Sequence, residues 1–91
     1  MTDVKEAGVK ETIHAKIVEL ASQLGRDAKK LKNDEVIPAS GFLDSAALME
    51  LVMWFEFEHG LAIDQNEITL ENFGTIDAMA DYLKRQQGGS V

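Results

Sequence analysis

The sequence predicts an all-α fold, a four-helix bundle of three main helices and one short helix with a long first loop. Apolar residues recur at three- and four-residue steps in three stretches, the spacing that lines one face of a helix. No stretch shows the apolar–polar alternation of a strand. Glycine, proline, serine and asparagine cluster between these stretches and divide the chain into segments. With 91 residues there is room for one domain and one core of marginal stability, about 5 kcal/mol, and little for a separate catalytic cleft.

In the first helix, Ile13, Ile17, Leu20 and Leu24 form one stripe over about residues 9–24, and Gly25 is placed to stop it. Residues 1–8 are expected to be a flexible lead-in. Between Arg26 and Asp44, Lys29-Lys30, Asn33-Asp34, Pro38 and Ser40-Gly41 oppose one continuous helix, so a long loop is expected, with room for a short helical turn. Such loops are uncommon in compact domains, so Leu31, Val36, Ile37, Phe42 and Leu43 are expected to pin it to the bundle.

The second helix runs from Ser45 to His59, with Leu48, Leu51, Val52 and Phe55 at buried-face spacing and Gly60 as its stop. It carries more apolar surface than one stripe needs. Ala46, Met49, Met53 and Phe57 fall on a flank interleaved with Glu50, Glu56 and Glu58. Partial exposure is expected for Met49, Met53 and Phe57; Trp54 fits either packing under the loop or exposure. The short third helix, about Asp64 to Leu70, should turn Ile63, Ile68 and Leu70 inward and could not stand alone. Thr75 reads as the N-cap of the last helix, with Asp77 in its first turn, a buried stripe of Ile76, Met79, Ala80 and Leu83, and Lys84-Arg85 near its end. The domain is thus expected over residues 9–86, with a flexible tail at 87–91.

Charge is unevenly placed. From Asn33 through Leu83 there are eleven acids (Asp34, Glu35, Asp44, Glu50, Glu56, Glu58, Asp64, Glu67, Glu71, Asp77 and Asp81) and no Lys or Arg; all nine basic residues lie outside, and the net charge is −7. Such a surface repels nucleic-acid phosphates and steers basic protein patches toward itself, at a rate that falls with salt. Solubility alone would also favour an acidic surface. Without cysteine there is no disulfide, no thiolate metal site and no thiol. No apolar run is long enough to span a bilayer and no signal segment is evident, so a monomeric cytoplasmic protein is expected.

Most sharper chemical readings fail. His14 reads as a surface residue and His59 as a last-turn residue favourable to the dipole, neither spaced for a triad or metal site. Asp64 to Thr75 superficially has the look of a calcium loop, but Ile68, Thr69 and Thr75 stand where an oxygen ligand, a glycine and a bidentate glutamate belong. One feature survives: Gly41-Phe42-Leu43-Asp44-Ser45 ends the loop and puts Ser45 at a helix N-terminus, where backbone N–H groups and the dipole favour a phosphate.

The segment Gly41 to Gly60, GFLDSAALMELVMWFEFEHG, resembles the prosthetic-group site and following helix of the acyl carrier protein family, with its peptidyl and D-alanyl relatives. The likeness spans about residues 9–86: helix order, long first loop, Asp-Ser site, acidic second helix and the closing Thr-Ile-Asp-Ala-Met-Ala-Asp-Tyr-Leu helix. It implies an acyl-carrier-like fold and a non-catalytic protein. By the resemblance, a phosphopantetheinyl transferase joins Ser45 to 4′-phosphopantetheine from coenzyme A, and the arm's thiol carries an acyl group as a thioester. Asp44 would help the transferase bind its metal and coenzyme A, or serve as a plain N-terminal acid of the helix. Ala46, Met49, Glu50, Met53, Glu56 and Phe57 would be the face read by basic docking patches on acyl- or aminoacyl-loading ligases and on downstream synthases and transferases.

Ala46 and Ala47 depart from the Leu or Met and the acid that many members carry after the serine, which bears on partner identity and not on attachment. Asn72-Phe73-Gly74 looks more like freestanding D-alanyl or aminoacyl carriers than like carriers of fatty-acid biosynthesis. Fatty acyl, polyketide and aminoacyl cargo all stay open. Slack between the second and third helices would let a short fatty chain retreat into the core, a burial that an aminoacyl ammonium resists. A reading of a different class is an unmodified acidic helical interaction module, with Ser45 only a helix cap.

Overall fold

A computed structural model of the chain describes the backbone of residues 2–88 and the side chains of residues 8–87. In order come α1 (Thr2–Gln23), α2 (Ile37–Ser40), α3 (Ser45–His59), a 3-10 turn (Gln65–Glu67), α4 (Leu70–Phe73) and α5 (Ile76–Gly88). No strand occurs among the described residues, as the periodicity predicted. The three long helices carry the bundle: α1 packs on both α3 and α5, while α4 packs on α5.

Helix α1 starts at Thr2, so residues 2–8 are helical where a flexible lead-in was expected. Gly8 weakens a helix without ending it, and extending an existing helix is far easier than starting one. At the other end α5 runs on to Gly88. Met1 and residues 89–91 of the expected tail lie outside the described residues. The two expected stops hold: Gly25 and Gly60 sit at φ 76° and 65°, conformations that suit a residue without Cβ.

The core is one cluster. Ile13, Ile17, Leu20 and Ala21 of α1 meet Ala47, Leu51, Val52 and Phe55 of α3 and Ile76, Met79, Tyr82 and Leu83 of α5. Leu24 was expected in this stripe but lies beyond the end of α1 and is exposed. Leu48 and Ala80 are half-buried, because Ala47 and Tyr82 occupy the inward positions beside them. Leu70 corrects another expectation: at 66% exposure it does not face inward, because the short segment breaks into two pieces and Phe73 is its anchor instead.

The long loop is pinned at several points. Ala28, Leu31, Ile37 and Leu43 are buried and Phe42 is half-buried, whereas Val36, expected to be a pin, is exposed as the residue that precedes α2. His14 is half-buried and not the surface residue expected; its Nε2 donates to the Ala28 carbonyl at 3.0 Å and ties the loop to α1. Farther on, the Ile37 N–H donates to the Gly74 carbonyl at 2.7 Å and the Asp77 N–H to the Asn33 carbonyl at 3.0 Å. The loop's second half is thereby tied to the start of α5.

Candidate functional site

Leu43, 4% exposed, anchors the end of the loop in the core, and the next residue turns the chain into α3. Asp44 is extended (φ −87°, ψ −179°), and its Oδ1 accepts the Ala47 N–H at 2.8 Å. It is therefore the N-cap of α3, the plainer of its two expected roles. Ser45 follows as the first helical residue, exposed, and among the described residues its hydroxyl makes no hydrogen bond. Burial of Leu43 and Ala47 on either side holds the serine outward on a rigid element.

Beside Ser45 opens a cleft of ≈ 330 Å³. Its near wall is Leu48, Met49, Leu51 and Val52 of α3; its far wall is Ile68, Thr69, Leu70 and Phe73; Pro38 of α2 lies at one side. Apart from Ser45 and Thr69, every lining side chain is apolar. The far wall was not legible in the residues, since a 3-10 turn and a four-residue helix leave no periodicity to follow.

Along α3, Ala46, Met49, Glu50, Met53 and Phe57 form one exposed stripe. Met49 is 45% exposed, Met53 56% and Phe57 87%. Glu56 sits at its edge, half-buried, and its Oε2 accepts the Ile63 N–H at 2.8 Å, a structural task that the helical spacing did not reveal. Glu50 and Glu58 form no ion pair among the described residues, whereas Asp77 pairs with Lys10 at 3.0 Å and Asp81 with Arg85 at 3.1 Å. The charges of Glu50 and Glu58 on α3 are thus left unpaired among the described residues.

At the far end of α3, His59 departs from its expected role. Its ring packs edge-on to Phe55 at 4.8 Å and near Trp54 at 6.2 Å, and its buried Nε2 has no hydrogen-bond partner among the described residues. Burial lowers its pKa below the ordinary value, and neighbouring Glu58 only partly opposes that. The charged form that a last-turn position would favour is disfavoured here. Trp54, half-buried against Phe55 and His59, takes the packing role.

The family model described as a phosphopantetheine attachment site matches residues 17–83, from the middle of α1 nearly to the end of α5. The chain belongs to this phosphopantetheine attachment family. No solved structure matches it. The resemblance to acyl carrier proteins and the all-α fold expected from it both hold. A domain of this family carries a covalently attached 4′-phosphopantetheine and works with a phosphopantetheinyl transferase and other partner enzymes. The site around α3 fits such a group: an outward, unbonded serine hydroxyl stands at the N-terminus of a 15-residue helix, whose first N–H groups and dipole suit a phosphodiester. No helix of the described residues is long and apolar enough to cross a membrane.

Proposed function

We propose that this carrier domain bears its arm on Ser45 and holds apolar acyl intermediates, delivering them to partner enzymes without catalysing a reaction itself. The apolar cleft beside Ser45 carries this reading. The chain has no thiol of its own, so the arm supplies the sulfur on which cargo travels as a thioester. The Ser45 hydroxyl would supply the oxygen of the attachment bond, Asp44 keeps the helix start ordered by taking the Ala47 N–H, and the N–H groups of Ser45 and Ala46 at the helix start would suit the phosphate's charge. An acyl chain leaving the arm finds a lining of Leu, Met, Val, Ile and Phe. An aminoacyl ammonium would lose its hydration there with no carboxylate in the lining to replace it.

Asn72-Phe73-Gly74, the feature that looked aminoacyl-like, has a packing account. Phe73 is buried edge-on to Phe55 at 5.8 Å, Asn72 Nδ2 donates to the Glu67 carbonyl at 2.9 Å, and a side chain on Gly74 would run into the Leu70 carbonyl. Cargo in fatty-acid, polyketide or a related biosynthesis is thus the favoured class. The exposed stripe of α3 suits partners with a basic rim around an apolar contact: methionines adapt to different surfaces, and the acids orient the approach.

The test is intact mass after incubation with coenzyme A, magnesium and a broad-specificity transferase. One added phosphopantetheine, absent from Ser45→Ala, supports the reading; no addition to folded protein, with a control carrier modified, sinks it in favour of an unmodified interaction module. Loading the arm with a stable octanoyl or glycyl analogue then tests cargo. The octanoyl group should shift the Ile68 and Leu70 methyl resonances, and the glycyl group should not.

A further inference from the structure

The segment from Glu67 to Phe73 has two sides. One side, through Ile68, Thr69, Leu70 and Phe73, lines the cleft beside Ser45. The other is bonded to α5: Tyr82 donates its hydroxyl proton to Glu67 Oε1 at 2.5 Å, and Arg85 Nη2 donates to Asn72 Oδ1 at 3.1 Å. Arg85 also lies over the Tyr82 ring at 5.7 Å and bonds Asp81 Oδ2 at 3.1 Å, which fixes its direction. Within the segment, Asn72 Nδ2 reaches back to the Glu67 carbonyl.

A 3-10 turn and a four-residue helix cannot hold their own shape. Phe73, packed on Tyr82 at 5.0 Å, secures one end in the core. Ile68 is half-buried against the core, and exposed Leu70 at the cleft's lip has the bonds to α5 to steady it. Tyr82 is a dependable donor, because its pKa is pushed up to about 12, first by burial and then by the bond to Glu67.

We propose that Tyr82 and Glu67, braced by Arg85 and Asn72, form a latch that fixes the far wall of the cleft and so sets the length of apolar chain it accepts. These are positioning residues: none of the four lines the cleft. The consequence for cargo rests on the carrier reading, whereas the latch and the aperture do not. With a volume near the lower limit of small-molecule sites, a small displacement of Leu70 changes which chain fits.

The test uses the full chain without the arm, so that it stands or falls apart from Ser45 modification. Methyl NMR would follow titration with butanol, octanol and dodecanol in the wild type, Tyr82→Phe and Glu67→Gln. Wild type should respond at Ile68 and Leu70 with a preference among the lengths. Tyr82→Phe, which loses the bond to Glu67, should shift the preference toward a longer chain. Glu67→Gln, which keeps an acceptor, should recover part of the difference. Amide exchange should quicken at residues 68–73 in Tyr82→Phe and stay unchanged in α1. No alcohol response in wild type, an unchanged length preference in the variant, or equal quickening across the fold would each overturn the latch.

Discussion

Asp44 Oδ1 accepts the backbone N–H of Ala47 at 2.8 Å, so the residue before the candidate attachment serine caps the helix that the serine begins. The same carboxylate that the family resemblance assigns to transferase recognition therefore has a structural task of its own. Asp44→Ala should cost about 1 kcal/mol in urea denaturation and Asp44→Asn less, since asparagine also caps well. The two roles separate in the modification assay. If Asp44 only caps, Asp44→Asn will be modified at the wild-type rate; a slowed rate with near-native stability would assign it to transferase recognition as well.

Gly74 is the point where α4, α5 and the long loop converge. Its N–H donates to the Leu70 carbonyl at 2.8 Å, its carbonyl accepts from Ile37 at 2.7 Å, and an added Cβ would stand 3.1 Å from the Leu70 carbonyl carbon and closer still to its oxygen. Since these are backbone atoms, no rotamer relieves the contact. Gly74→Ala should destabilise the fold by about 1–3 kcal/mol, read as a lower urea midpoint. A midpoint within error of the wild type would refute the close approach.

His59 makes stability depend on pH. Its folded-state pKa lies below the unfolded value of 6.5, so the unfolded chain binds the proton more readily. Its contribution is fully present above that unfolded value and is lost as pH falls through the folded one. Thermal melts from about pH 7.5 down to about pH 5 should therefore fall more steeply for wild type than for His59→Gln, the comparison that removes the titrating carboxylates from view. Parallel curves for the two proteins would count against it.

Phe57 and Met53 are exposed on α3 and absent from the core. Phe57→Ser with Met53→Ser should change stability by no more than about 0.5 kcal/mol. If this stripe is the docking face, kcat/KM for a modifying or loading enzyme should drop about tenfold, and the wild-type rate should fall with added salt. Unchanged kinetics at low salt would move the docking face elsewhere on the molecule.

Residues whose role follows from repeating helical geometry were legible from the chain. Ile13, Ile17 and Leu20 are buried where their spacing put them, Thr75 caps α5 by accepting the Ala78 N–H at 2.9 Å, and Met49, Met53 and Phe57 are exposed as expected. Roles set by a partner distant in sequence were not. His14 is half-buried and bonded to the Ala28 carbonyl of the long loop, and Glu56 serves Ile63 across a turn. In each case the neighbour arrives from a loop or turn whose path no periodicity encodes.

The sequence by itself determined an all-α domain with an Asp-Ser pair at a helix start, no thiol of its own, and a basic-residue-free stretch around it, because helix periodicity, capping chemistry and composition are local properties. Only the tertiary structure decided that a cleft opens beside Ser45 and that Leu70 stands at its lip. Tyr82 and Glu67 are 15 residues apart, and the bond that holds the far wall forms only when α5 has packed against the segment before it. Such a contact depends on where elements meet, and no single element's residues specify that meeting.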